Sequence, residues 1–310
     1  MSPISRRQTL RLGVTAGLAA ATLTTGADAA PPPTSFTLLL VNDIYKMNED
    51  KGRGGFPRLA AIVKAERARG VPMLFCHAGD CFSPSLMSGF DQGAHIVALT
   101  NMIKPDVFVP GNHEFDFGKD VYFARLREAE FPFFAANMRD AAGQPLPGHR
   151  DSAIFDLGGV RVGVVGLILD NVPQMSSPGD ITFLPVMDTL RREAKKLREE
   201  GADLVVAVTH TDRAMDFEIV RSRLVDVLLT GHDHDLAIGF DGKTVMVESN
   251  EEGNYVTAID FTATVTGEGK DRKVTWTPTF RVNDSRAVEP DPEVLAVVAR
   301  YEAELSKELD

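Results

Sequence analysis

Five apolar runs in this chain end on the same kind of polar tip, and that repetition limits the fold more than any other feature. Residues 39–41 lead to Asn42-Asp43-Ile44-Tyr45, and 74–76 lead to His77-Ala78-Gly79-Asp80. Residues 107–109 break at Pro110-Gly111 and lead to Asn112-His113-Glu114-Phe115-Asp116. Residues 206–208 lead to Thr209-His210, and 227–229 lead to Thr230-Gly231-His232-Asp233-His234. Short apolar runs bounded by such residues read as buried strands. Helix-period segments lie between them, at 56–69, 95–102, 120–129, 186–200 and around 217–222. Residues 133–136 read as a short strand, 139–151 as a surface excursion, and 154–157 with 160–169 as a hairpin. From 243 the texture changes to strands at 244–247, 256–265 and 273–282, and Pro290-Asp291-Pro292 opens a last helix. Alternating strands and helices followed by a run of strands predict an α/β fold of two packed sheets with helices on their outer faces. In such folds ligands bind where strand tips converge.

The tips carry carboxylates, an amide and imidazoles, the donors that suit divalent ions. His232 and His234 are two apart, so on an extended tip they point the same way and can serve adjacent ions. Two cations about 3.5–4 Å apart lower the pKa of a water and clamp the attacking and leaving oxygens of a phosphate ester. A carboxylate is the natural bridge between them, having two oxygens and a charge to offset two cations.

Asp43-x-Tyr45, Gly79-Asp80, Gly111-Asn112-His113-Glu114, His210 and Gly231-His232-Asp233-His234 together resemble the signature of the calcineurin-like metallophosphoesterases. Within that superfamily, Val41-Asn42-Asp43, His113-Glu114-Phe115-Asp116 and Ala136-Asn137 resemble the periplasmic 5'-nucleotidase branch. The matches run from 38 to about 262. The resemblance implies a four-layer α-β-β-α sandwich of two mixed sheets, with a dinuclear metal site at the strand tips. It implies that Asp80 bridges two ions of Mn, Zn or Fe. Asp43 and His234 would hold the first, and Asn112, His210 and His232 the second. His113 would not be a ligand but would donate to the phosphoryl oxygen or protonate the leaving group, with Asp116 holding its tautomer. Asn112, His113 and Asn137 would face the substrate. The implied reaction is hydrolysis of a small phosphate ester, of the nucleotide-monoester type, by attack of a metal-bridging hydroxide. The alternatives are a phosphodiesterase, a sulfur-oxidation thiosulfohydrolase of the same superfamily, and a metal-binding module with an impaired first site.

The sequence departs from this pattern twice. The family's first motif is Asp-x-His, and here Tyr45 stands in place of the imidazole. Tyr45 is therefore either a phenolate ligand, suited to a hard ferric ion, or a packing residue. The nucleotidase branch also continues into a C-terminal domain with base-binding aromatics and phosphate-gripping arginines. The expected organisation here is a catalytic domain over 30–285 and a helix over 286–310 at the family's linker position, without that second domain.

Residues 1–29 are expected to be a signal peptide. Ser5-Arg6-Arg7-Gln8-Thr9-Leu10 is a twin-arginine pattern, an apolar run follows from Leu12 to Leu23, and Ala27-Asp28-Ala29 offers small residues for cleavage. The run is too short and too rich in small residues to span a membrane. These features predict delivery to the periplasm or beyond by the twin-arginine export machinery. A formal charge of -11 argues against binding of nucleic-acid polymers, which needs Lys and Arg to neutralise phosphates. Cys76 and Cys81 are too few for a disulfide framework; they read as a core residue and a loop residue, with a local bridge left open. His77 reads as a packing histidine, His95 and His149 as surface or helix residues. Glu114 and Asp233 read as acceptors for loop amides, while Phe82, Phe115 and Phe117 stay unassigned between core packing and base stacking.

Overall fold

The computed structural model describes residues 32–310, and the leader read over 1–29 lies outside them. In the first half of the chain, β1 (Thr34–Val41), α1 (Phe56–Ala68), β2 (Met73–His77), α2 (Ser88–Asp91) and α3 (Ala94–Ile103) come first. They are followed by β3 (Val107–Phe108), α4 (Lys119–Glu128), β4 (Phe133–Phe134), β5 (Met138–Arg139) and β6 (His149–Arg150). Next come β7 (Ser152–Leu157), β8 (Val160–Ile168), β9 (Thr182–Phe183), α5 (Val186–Glu199), β10 (Leu204–His210) and α6 (Arg213–Ser222). The chain ends with β11 (Val227–Gly231), β12 (Leu236–Phe240), β13 (Val245–Ser249), β14 (Tyr255–Thr266), β15 (Lys273–Asp284) and α7 (Pro292–Leu309).

Two sheets form from these strands, in the orders β15-β14-β1-β2-β3-β4-β6 and β12-β13-β11-β10-β8-β7. β1, β2, β3, β4 and β6 run parallel, with β14 and β15 added antiparallel. β8, β10, β11 and β13 run parallel, with β7 and β12 antiparallel at the edges. Both sheets are therefore mixed, as expected. The parallel strands all bring their C-terminal ends to one end of their sheet.

The period-2 alternation of side chains sorts each strand between two cores. Leu39, Val41 and Phe75 face α1, α3 and α7 through Leu59, Val63, Ile96, Leu99, Val294 and Val298. Phe36, Leu38, Leu40 and Leu74 face the other way, against Val162, Val164, Val206, Val208 and Leu229 of the second sheet. Val165, Leu167, Val205 and Leu228 pack under α5 and α6 through Leu190, Leu197 and Ile219. The result is the helix–sheet–sheet–helix layering. Strands buried on both faces explain why 204–208 and 227–229 read as unbroken apolar runs.

Local chemistry starts α7 where the pattern predicts and starts α6 at Arg213, four residues before the segment read around 217–222. Asp212 caps α6 by accepting from Met215 N, and Asp291 caps α7 by accepting from Glu293 N and Val294 N. The excursion read over 139–151 contributes more than surface, because its His149–Arg150 step pairs with β4 at the sheet edge. Arg139 is buried there against Asp151. Cys76 and Cys81 are both free and both buried, so Cys81 is not an exposed loop thiol. His95 is in a helix but buried, its Nδ1 against Asp91. No described helix is long and apolar enough to cross a membrane.

The antiparallel edge of the first sheet is tied to α1 by charge. Arg281 on β15 donates to both oxygens of Glu66 on α1 and both of Asp260 on β14, and Arg69 joins both carboxylates. Burial pushes the two carboxyls up, but the hydrogen bonds from Arg281 and Arg69 outweigh it and hold both below their ordinary values. Carboxyls depressed in the folded state stabilise it fully above their unfolded values of about 4, and the contribution is lost as pH falls through the folded values. Urea unfolding of the chelator-treated protein should therefore show a larger loss of stability between pH 6 and pH 3 for the native chain than for Arg281→Met. Equal losses would mean that the cluster does not couple folding to protonation.

Candidate metal centre

The two carboxylates at the tips of β1 and β2 are set by left-handed backbone, with φ of 55° at Asp43 and 57° at Asp80. This conformation is uncommon for residues other than glycine, though Asp tolerates it. The neighbouring amides are satisfied: Asp43 N donates to Gly79 O at 2.9 Å and Ile44 N to Asp80 O at 2.9 Å. Glu114, buried, accepts from the backbone N–H of Asp80 (2.9 Å), Cys81 (2.6 Å), Phe82 (3.2 Å) and Gly111. Its role as an acceptor for loop amides is the one read from the sequence. Gly111 permits the close approach of the third tip, because a Cβ there would lie 2.1 Å from Asp80 Oδ1 and 2.7 Å from the His210 ring.

Asp80, His210 and His232 each offer a donor atom within 4.8 Å of the others. His210 Nε2 is 3.0 Å from Asp80 Oδ2 and 3.3 Å from His232 Nδ1. His210 Nδ1 donates to Ala78 O at 2.7 Å, so the ring's other lone pair points at the cluster. Asn112 Oδ1 is buried with no hydrogen-bond partner. Two converging imidazole nitrogens and a carboxylate fit a divalent cation, and an amide oxygen left without a partner is a further donor of the kind such an ion takes.

A second donor set adjoins the first. Tyr45 Oη lies 2.9 Å from His234 Nε2, 3.1 Å from Asp43 Oδ1 and 3.4 Å from Asp80 Oδ2. His234 Nε2 is itself 3.3 Å from Asp43 Oδ1, and its Nδ1 faces Glu251 Oε2 at 3.0 Å. The other oxygen of Asp43 accepts from His232 N (2.9 Å) and Asn42 Nδ2 (2.6 Å). Tyr45 is 5% exposed, so the phenol is built into the centre rather than beside it. Burial and the nearby Asp80 and Asp43 carboxylates push its pKa far up. His234 is pushed up to about 9 by its hydrogen bond to Asp43, against the effect of burial. Asp43, Asp80 and Glu114 are all at most 1% exposed and have no Lys or Arg partner among the described residues. Buried carboxylates are costly unless compensated, and this centre concentrates three.

His113 stands at the open side, its side chain one-third exposed. Its Nδ1 is 2.6 Å from Asp116 Oδ2, and Asp116 also accepts from Ser83 Oγ (2.6 Å) and Ser176 Oγ (2.7 Å). The carboxylate can only accept, so Nδ1 carries a hydrogen and Nε2 faces the centre, 4.0 Å from Asp80 Oδ2. The pairing of Asp116 with His113 is the one predicted.

Asn137 requires a correction. It is fully buried, its Nδ2 donating to Ile168 O and Leu184 O and its Oδ1 accepting from Ile168 N. It ties the end of β8 to a neighbouring loop and has no free group for a substrate. His77 packs against Phe108 with ring centroids 4.8 Å apart, and burial pushes its pKa down to about 3. Asp233 faces Arg213 rather than loop amides, with Nε at 3.9 Å. Phe82 and Phe115 are core residues. Sequence reasoning missed Glu251 and Glu252. Glu252 accepts from the N–H of Tyr45 (3.1 Å) and Lys46 (2.9 Å). Both glutamates follow β13, which is parallel to β11 and ends on Glu248-Ser249-Asn250, so an apolar run with a polar tip was the available signal.

The calcineurin-like phosphoesterase family model matches residues 36–236. A 5NUC protein of Lutzomyia longipalpis is 30% identical over 273 residues, covering 80% of this chain and 47% of that protein. The chain thus spans about half the length of that curated relative. A 5'-nucleotidase precursor from Thermus thermophilus shares the fold with a TM-score of 0.74 at 22% identity, over 88% of this chain and 59% of that one. A sulfate thiohydrolase from the same genus gives 0.75 at 20% identity, over 88% and 61%.

Gly111→Ala forces a methyl group into Asp80 while leaving an ordinary backbone conformation. It should lower metal affinity at least about tenfold, as displaced ligand-supporting groups do, and should also lower the metal-free unfolding midpoint, because the methyl overpacks a buried contact. Metal titration against a chromophoric chelator would check this, and undiminished affinity would mean that the Gly111 approach does not set the Asp80 position.

Proposed function

The chain belongs to the calcineurin-like phosphoesterase family, and from that premise we propose that it is an exported, metal-dependent hydrolase of phosphate esters, with nucleotide-type phosphomonoesters as the substrate class. The observation that carries the reading is the convergence of Asp80, His210 and His232 at the tips of both sheets, and the buried Asn112 Oδ1 without a hydrogen-bond partner supports it. Similarity to named 5'-nucleotidases supports the nucleotide-type substrate. The twin-arginine pattern at residues 5–10 supports export.

Asp80, Asn112, His210 and His232 would hold one ion, and Asp43, His234 and Asp80 another. Bound ions supply Lewis acidity, which offsets phosphate charge and lowers the pKa of water. His113, oriented by Asp116, presents Nε2 to the open side, where it donates to a phosphoryl oxygen or to the departing alcohol. Ser83 and Ser176 fix the Asp116 carboxylate and so the ring plane.

Tyr45 completes the first set. A hydroxyl donates one hydrogen bond, yet Oη faces two carboxylate oxygens, Asp43 Oδ1 and Asp80 Oδ2, beside His234 Nε2. One phenol proton cannot fully serve both carboxylates. Ligands bound at about 2.0–2.2 Å stand about 2.8–3.6 Å from one another, which matches separations here of 2.9–3.4 Å. A phenolate is a hard, anionic donor that favours a hard ion such as ferric iron over the softer choices.

Native protein should cleave p-nitrophenyl phosphate and nucleoside monophosphates faster than bis-p-nitrophenyl phosphate; the reverse order would make it a diesterase. Asp80→Asn should lose metal and activity together. His113→Ala should keep its metal and lose about 10²–10⁴ in kcat, and metal loss in that variant would show that His113 is a ligand. Tyr45→Phe should lower occupancy of the first site and bleach any phenolate-to-iron absorption. Unchanged metal stoichiometry, spectrum and turnover in Tyr45→Phe would leave Tyr45 a packing residue.

A further inference from the structure

Behind the histidine-bearing loop lies a charged cluster that the reaction does not use. Arg213, the first residue of α6, faces four carboxylates. Its Nη1 is 3.2 Å from Asp216 Oδ2, its Nη2 is 3.1 Å from Asp235 Oδ2 and in contact with Glu248 Oε2, and its Nε is 3.9 Å from Asp233 Oδ2. Asp216 and Glu248 are fully buried, on α6 and β13. Asp233 and Asp235 alternate with His232 and His234 along the loop. The far oxygen of Asp216 accepts from Thr211 Oγ1 (2.7 Å) and Thr230 Oγ1 (2.9 Å). Thr211 follows His210, and Thr230 precedes His232 by two.

The loop needs such support, because His232 and His234 both have positive φ, 97° and 61°. Non-glycine residues persist there only when their surroundings over-determine them. We propose that Arg213 is the positioning residue for the loop 232–235: it fixes the backbone that aims both imidazoles and thereby sets the metal affinity of the centre. It touches neither ions nor substrate. The planar guanidinium reaches three chain segments at once through a rigid fork, which the single ammonium of lysine cannot do. This inference rests on the metal-centre reading.

The test compares native protein, Arg213→Lys and the triple variant Arg213→Met with Asp216→Asn and Glu248→Gln, which avoids leaving either buried carboxylate charge unpaired. Affinity for Mn(II) and Zn(II) is measured by chelator competition, and urea unfolding is measured on metal-free protein. Affinity should fall about 10–100-fold in both variants, while the metal-free unfolding midpoint of the triple variant stays near native. kcat with p-nitrophenyl phosphate should recover in part at excess metal. Affinities within twofold of native in both variants would overturn the positioning role, as would losses that only track a lowered metal-free midpoint. Failure of native protein to bind either ion would instead overturn the metal-centre reading, and this role with it.

Discussion

Among the polar contacts where the two sheets meet, one carries the rest of the candidate centre: His210, at the tip of β10, against the tip of β2. Its Nε2 reaches Asp80 Oδ2 at 3.0 Å and its Nδ1 donates to Ala78 O at 2.7 Å. Behind it the inner core of Phe36, Leu38, Leu40, Val206, Val208 and Leu229 keeps the sheets face to face. Apolar packing thus sets the separation, and the parallel strands of both sheets deliver their C-terminal residues to one place. The chemistry is assembled by the ends of strands whose middles are held rigid by burial.

That placement brings Asp43, Asp80 and Glu114 into a nearly dry interior, where negative charge needs compensation. Glu114 is compensated by backbone amides from two loops. Asp43 accepts from His232 N and Asn42 Nδ2 and Asp80 from His113 N, their remaining oxygens face imidazoles and Tyr45, and Asn112 Oδ1 has nothing. In this arrangement a cation is the element that relieves the cluster. Tyr45 alters the balance relative to an imidazole, because a phenol brings either a proton that cannot fully serve both carboxylates or an extra negative charge. The first site is therefore where this chain's centre should differ most from that of its relatives.

The strand tips were legible because each follows an apolar run, which is how Asp43, Asp80, Asn112, His210, His232 and His234 were found. The layering followed from runs such as 204–208, apolar on both faces. What lay hidden depended on three-dimensional closure. Asn137 looks in sequence like any strand-end amide, and only the position of Ile168 and Leu184 shows that it closes a gap between strands. Glu251 and Glu252 were hidden because β13 was read with the alternating strands that follow, although it lies parallel beside β11. Strand β12 escaped because it begins at Leu236, directly after the histidine loop, with no turn signal between. Arg213 sits on a helix start, and nothing in its spacing tells that four carboxylates come to surround it.

The central claim is that the strand tips form a metal centre with Tyr45 as a member. Anomalous diffraction from crystals of the protein loaded with iron and manganese tests it most directly. The account predicts one anomalous peak within ligand distance of Asp80, Asn112, His210 and His232, and a second within ligand distance of Asp43, Asp80, His234 and the Tyr45 oxygen. Peaks only outside the strand tips, or a second peak with the Tyr45 ring turned away from it, would contradict that claim.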